Sequence, residues 1–317
     1  MDHIEHYWHD RDSPLDWTCV FTLPPWLGAW WSAFGQAHAL HLCVARQEGS
    51  VIGIGPLMVT RDRASVIGSG DLTDYTDFIV APGRGSDFFL ALLKHLRQEG
   101  VSLLRLGRTR ADSETLVQLK TLAGSLGFRL SCKPADVLYE MALPDSWEAY
   151  LDLLSGKERH EIRRKLRRLS NAGRITIRVV EERGAASTAM DAFITLFRSN
   201  LREKALFMTH ATEHFFRSLA DRMAESGILR LHFLDLDSVP VAATMCIDYQ
   251  STVYLYNNGY DDRYRHLSVG LLSKVLSIKE SILRGRRRFN FLRGGEAYKQ
   301  RLGGSPVLLL ECEVLLR

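Results

Sequence analysis

Residues 231–247 read LHFLDLDSVPVAATMCI, and residues 42–59 read LCVARQEGSVIGIGPLMV. Each is a pair of strand-like runs around a short polar turn, Asp-Leu-Asp-Ser in one and Gln-Glu-Gly-Ser in the other. The first copy continues with DYTDFIVAPG (Asp74–Gly83), FFLALLKHLRQEG (Phe88–Gly100) and VSLLRLG (Val101–Gly107). The second continues with STVYLYNNGYD (Ser251–Asp261), LLSKVLSIKESILRG (Leu271–Gly285) and RRFNFLRG (Arg287–Gly294). Leu42 and Leu231 are 189 residues apart, Gly100 and Gly285 are 185 apart, and Gly107 and Gly294 are 187 apart. Order, spacing and helix-ending glycines agree, so one strand–turn–strand–strand–helix–strand module is used twice.

The first copy follows a tryptophan-rich entry that holds five of the six tryptophans, and Pro24-Pro25 suits a helix start there. A boundary near Lys133–Pro144 divides the chain into modules at 1–140 and 141–317. Ser146-Trp147-Glu148 opens a helical hairpin whose second arm is basic. Further helical patterns cover Ala185–Arg202 and Thr212–Ser226. The fold class is α/β, of the mixed α+β kind: a central mixed sheet in each module, flanked by helices, with the basic helical hairpin inserted. Linkers rich in proline or glycine are missing, so packed modules with a cleft between them are expected.

Composition sets the outer bounds. At 317 residues, 46% hydrophobic and 25% charged, the chain is an ordinary globular protein and not a disordered or collagen-like one. Its longest apolar run, Val51–Val59, is broken by Gly53, Gly55 and Pro56, far from a membrane span. The opening MDHIEHYWHD is acidic and histidine-rich, unlike a signal peptide, which makes the cytoplasm the expected compartment. Five cysteines without a C-x-x-C pair read as buried thiols in a reducing compartment.

Charge is uneven. Residues 1–140 carry a net −3 and residues 141–317 a net +7. The excess is too small to argue for DNA binding. Much of it lies in KERHEIRRKLRR (157–168), with seven Lys/Arg, and RGRRR (284–288), with four Arg. Ile162, Leu166 and Leu169 give the first segment a narrow apolar stripe. Its basic face reads either as a solvated surface or as a clamp for a phosphorylated ligand.

PVAATMCIDY (Pro240–Tyr249), YLYNNGYDDRYRHLSVG (Tyr254–Gly270) and FNFLRGGEAYKQRLGG (Phe289–Gly304), with SGKERHEIRRKLRRL (Ser155–Leu169) and DYTDFIVAPG, resemble the GNAT superfamily of acyltransferases. The likeness is to its FemAB-like, CelD-type branch, in which two GNAT-like modules are fused. It implies that the fourth and fifth strands, Thr252–Asn257 and Phe289–Arg293, splay apart around an acyl thioester, beside Tyr256 and Asn257. Backbone N–H groups in such a gap can bind the donor and a developing oxyanion. It also implies that Arg263–Gly270 and the following helix start hold the donor pyrophosphate. Arg265, His266, Ser268, Val269 and Gly270 are the residues concerned. The usual signature is Gln/Arg-x-x-Gly-x-Gly/Ala; here Ser268 stands at its first glycine and Gly270 keeps the second.

By the same resemblance, Tyr298 protonates the leaving thiolate; packing with a satisfied hydroxyl is the alternative. Glu296 deprotonates an amine acceptor if burial raises its pKa, or is a helix-start carboxylate. Arg293 and Lys299 meet a phosphate or an acceptor carboxylate, or else are exposed or paired with Glu296. Asp74, Tyr75 and Asp77 read as acceptor recognition in the first module, the aspartates alternatively as turn caps. His210-Ala-Thr-Glu-His214 has its glutamate in the wrong place for a zincin, and no metal is expected. The reading is an acyltransferase moving an acyl group from acyl-CoA to an amine or hydroxyl acceptor, a small molecule or glycan precursor of envelope or exopolysaccharide synthesis. The alternatives are a Fem-like transferase using aminoacyl-tRNA and a non-catalytic partner of a polysaccharide machine.

Overall fold

The computed structural model describes residues 2–10, 12–68, 70–200 and 202–316. Its elements are α1 (Asp2–His9), α2 (Pro24–Phe34), β1 (Ala39–Gln47), β2 (Ser50–Thr60), β3 (Arg63–Val66), β4 (Ile79–Val80), α3 (Gly85–Gln98), β5 (Leu103–Arg110), α4 (Glu114–Leu126) and β6 (Arg129–Ala142). There follow α5 (Trp147–Leu153), α6 (Gly156–Ser170), β7 (Ile175–Val180), α7 (Arg183–Asn200), α8 (Arg202–Phe207), α9 (His210–Glu225), β8 (Leu229–Leu236), β9 (Val239–Tyr249), β10 (Thr252–Tyr260), α10 (Val269–Leu283), β11 (Arg288–Arg293), α11 (Ala297–Arg301) and β12 (Ser305–Leu315). They form two compact units, residues 1–137 with 307–317, and residues 138–306. The last strand thus returns to the first unit.

In the first unit the strand order is β1-β2-β3-β5-β12, with β4 beside β2. β3 and β5 are parallel and the other pairs antiparallel. Its core includes Phe78, Phe88, Phe89, Leu92 and Leu104. In the second unit β11 pairs antiparallel with residues 138–142 of β6 and parallel with β10. β10, β9, β8 and β7 continue antiparallel.

The two hairpins turn in the same way. Glu48-Gly49 and Asp237-Ser238 each place two consecutive residues at positive φ, which matches the twist of the flanking strands. Ser113, Ser146, Ser155 and Thr209 cap helix starts by accepting from the backbone N–H three residues on. On α6, Ile162 and Leu169 are each 2% exposed and Leu166 packs beside them, so the apolar stripe docks the basic helix. Burying each of those side chains contributes about 1.5–3 kcal/mol.

Two expectations are corrected. The third strand of the first copy is β3 with β4, not the whole of Asp74–Gly83, because residues 70–78 lie outside the sheet ahead of β4. The cysteines are not all thiols: Cys132 and Cys312 form a disulfide across β6 and β12, with Cα atoms 4.2 Å apart. Strand neighbours 180 residues apart leave no local spacing signal. No described helix is long and apolar enough to cross a membrane.

Candidate acyl-transfer site in the second unit

β10 and β11 pair through only three positions, Thr252↔Arg288, Val253↔Phe289 and Tyr254↔Asn290. Beyond them both strands bulge, β10 between Leu255 and Asn257, and β11 between Asn290 and Leu292. Leu292 sits at φ 59, a left-handed conformation unusual for leucine. The Asn290 side chain holds it there, accepting from the Leu292 N–H at 2.8 Å and donating to Glu140 at 3.0 Å. A bulge bends the strand that carries it, and past these positions β10 and β11 are unpaired, which leaves a gap in the ladder.

The gap is polar. Lys274 on α10 is 6% exposed, and its Nζ donates to Asn258 Oδ1 at 3.0 Å and to the Gly270 carbonyl at 2.6 Å. The same ammonium lies 5.0 Å from the centre of the Tyr298 ring, a cation–π contact. Tyr298 also meets Phe291 of β11 edge to face at 6.4 Å. Burial, and to a lesser degree the Glu296 charge, pushes the Tyr298 phenol up, so it keeps its proton at neutral pH.

One end of the gap is an anion site in form. A turn over Asp262–Leu267 leads to Ser268, which is left-handed at φ 60 and starts α10. The backbone therefore has the conformation glycine would favour there, although the residue is serine. The Ser268 hydroxyl does not cap α10; it accepts from Arg168 of α6 at 3.0 Å. Gly270 is needed because a Cβ would come within 2.5 Å of the Tyr260 ring. A helix start without a side-chain cap, with Arg168 beside it and Arg265 exposed on the turn, is suited to phosphate.

Other expected residues are placed differently. Lys299 is 2% exposed and spent inside the fold: it donates to the Leu292 and Arg293 carbonyls and pairs with Glu296 at 3.0 Å. It is a brace for the end of β11 and not a phosphate ligand. The Glu296 side chain is 57% exposed and paired with Lys299, so the burial expected of it is missing. Tyr256 stacks on Phe216 of α9 at 5.6 Å, and Val269 is fully buried; both serve the core. Asn257 accepts from the Asn258 N–H at 3.1 Å, and exposed His266 contacts the Arg263 carbonyl at 3.2 Å. Arg293 is half-buried beside the gap.

In the first unit, Tyr75 is a core residue packed edge to face on Phe21 at 4.9 Å, and Asp74 is half-buried. Asp77 lines a pocket of about 390 Å³ with Asp16, Arg110 and Thr115. Burial raises its carboxyl to about 6, against hydrogen bonds from Thr115 and the Phe78 N–H.

Lys274 and Asn258 were missed by the sequence reading, and Arg168 entered it only as part of the basic segment 157–168. Lys274 carried a signal: it falls on the apolar stripe of α10 with Leu271 and Ile278, where lysine is rare without a partner. Asn258 and Arg168 lie in polar runs that pattern alone does not sort.

Comparison with known proteins bears on this arrangement. Residues 156–300 match the family described as an acetyltransferase (GNAT) domain. No curated protein sequence matches the chain. Among solved structures, the crystal structure of FemX aligns with a TM-score of 0.69 at 13% identity, over 98% of this chain and 94% of that one. A conserved protein of unknown function from Bacteroides thetaiotaomicron aligns at 0.64 and 12%, over 99% and 96%. The C-terminal domain of a putative lysylphosphatidylglycerol synthetase from Agrobacterium fabrum aligns at 0.57 and 11%, over 92% and 91%. The fold is thus of the GNAT type. Within that class it is FemAB-like.

Proposed function

We propose that the second unit transfers an acyl group from an acyl-CoA thioester to an amine or hydroxyl acceptor. The observation that carries this reading is the gap between β10 and β11, with the protonated Tyr298 beside it and the α10 start at its end. The donor pyrophosphate lies at Ser268–Gly270 near Arg168 and Arg265. The acceptor attacks the thioester carbonyl, and backbone N–H groups freed by the splay stabilise the oxyanion. When the new bond has formed, the C–S bond breaks and Tyr298 gives its proton to the leaving thiolate. The proton lost by the acceptor goes to water or to the exposed Glu296, and the phenol is recharged from there. The acceptor is a polar amine or hydroxyl of the kind found in envelope or glycan precursors.

A second donor, aminoacyl-tRNA, is favoured by one observation. α6 presents Arg163, Arg167 and Arg168 as exposed residues, and the last of these reaches the donor loop. Titration calorimetry with free coenzyme A, acetyl-CoA and longer acyl-CoAs separates the two. Micromolar binding that weakens in Arg168→Ala and Arg265→Ala supports the thioester. No heat at millimolar ligand, with transfer activity destroyed by ribonuclease, overturns it in favour of tRNA. With a working donor, Tyr298→Phe should lower turnover by about 10²–10⁴-fold while far-ultraviolet circular dichroism is unchanged. Unaltered turnover would remove Tyr298 from the chemistry.

A further inference from the structure

His41 and Cys43 lie two residues apart on β1, so both side chains leave the same face of the strand. That face packs against α3, and His95 in the last turn of α3 comes down onto it. The His41 and His95 rings are stacked, with centroids 5.4 Å apart and planes 20° apart. Their Nε2 atoms are 3.3 Å from each other. The Cys43 sulfur and both imidazoles offer ligand atoms that all lie within 4.8 Å of one another. Cys43 and His95 also line a shallow pocket of about 230 Å³ beside Phe88 and Leu92.

We propose that these three side chains bind one divalent cation of the zinc class, in the first unit and apart from the transfer chemistry. Two ligand nitrogens about 2.0–2.1 Å from a tetrahedral zinc stand about 3.3–3.4 Å apart, which is the separation found. A hydrogen bond between the two rings would account for that distance but not for a thiol within 4.8 Å of both. The ligand set of two imidazoles and a thiolate selects zinc, cobalt or copper over magnesium or calcium. One further feature favours a cation here: His95 is at the negative end of the α3 dipole. His41 and Cys43 are half-buried while His95 is exposed, so a fourth position faces solvent and can hold water. The ion would tie β1, the edge strand of this sheet, to the helix that covers it.

The test uses the full chain, freed of metal by a chelator and titrated with Co²⁺ and then Zn²⁺. One equivalent of Co²⁺ should give tetrahedral visible bands and a thiolate-to-cobalt charge-transfer band, and Zn²⁺ should displace them. Cys43→Ser should abolish the charge-transfer band. His95→Ala, at an exposed position that leaves the core intact, should weaken zinc binding by at least about tenfold in competition with a chromophoric chelator. Zinc should also raise the melting temperature of the parent and not of Cys43→Ser. A missing charge-transfer band, or one that survives in Cys43→Ser, overturns the site. Unchanged zinc affinity in His95→Ala does so too.

Discussion

The helix after the third strand does different work in the two units. The 185-residue offset between Gly100 and Gly285 sets Gly85 opposite Gly270, Phe88 opposite Ser273 and Phe89 opposite Lys274. In the first unit, Phe78, Phe88 and Phe89 pack edge to face, with centroids 5.0–5.8 Å apart. β2 is bared at Gly53 to admit them, since a Cβ there would overlap the Phe88 ring. In the second unit the same helix face carries hydroxyls and an ammonium. Ser273, Ser277 and Ser281 donate back to carbonyls of their own helix, and Thr244 of β9 bonds Ser277 at 2.8 Å. One copy of the module has its inner space filled with rings, and the other keeps it polar beside splayed strands. A repeated fold therefore does not imply a repeated site.

Exchanging counterparts is the strongest way to break this comparison. Phe88→Ser puts the second unit's residue into the first unit's aromatic cluster. It deletes a fully buried ring, and unfolding by urea should show a loss of about 3–5 kcal/mol. A loss under about 1 kcal/mol would mean that the cluster collapses around the gap, and that the aromatic filling does little to hold the first unit.

Acid–base behaviour should also run in opposite directions. Burial raises Asp77 of the first unit to about 6, above the ordinary 3.8, so the folded state binds its proton more tightly than the unfolded state. Its contribution is then most favourable below about pH 4 and is lost as pH rises through 6, by up to about 3 kcal/mol. Burial opposes ionisation of Glu280 in the second unit too, but His232 at 3.2 Å and Arg284 outweigh it and hold the carboxyl below its usual value. That contribution is present above the ordinary glutamate range and is lost as pH falls below it. Asp77→Asn, which keeps the acceptor oxygen, should stabilise the first unit at pH 7.5 and flatten its slope between pH 4 and 6. Urea midpoints across that range decide it, and an unchanged slope would show Asp77 to be hydrated.

The repeat itself was legible because its carriers are local: turn residues, strand alternation and the glycines that end helices. The paired left-handed residues at 48–49 and 237–238 are the same device written twice. The turn into α10 was legible for the same reason, since Ser268–Gly270 lies within one turn. What was not legible depends on partners distant in the chain. Lys299 looks like a ligand in the sequence, but the Leu292 and Arg293 carbonyls accept its hydrogen bonds. Cys132 meets Cys312 only because β12 returns to the first unit. His41, Cys43 and His95 carry no motif, because a strand and a helix 54 residues apart supply them.

Lys274 gives the finest test of the contrast, because its counterpart Phe89 shows that the module tolerates an apolar residue there. Lys274→Met keeps length and burial but removes the donor to Asn258 Oδ1 and the Gly270 carbonyl. If the polar interior of the second unit is a connected set, the loss should cost about 1–3 kcal/mol in spite of the added apolar surface. It should also free the Tyr298 ring from its cation, so turnover should fall by more than the folded fraction does. Stability equal to the parent would show that water can replace the ammonium, and then the two units would differ in packing but not in the demands of their polar groups. A stability loss with turnover per folded molecule unchanged would leave Lys274 as a brace, and Tyr298 would act without it.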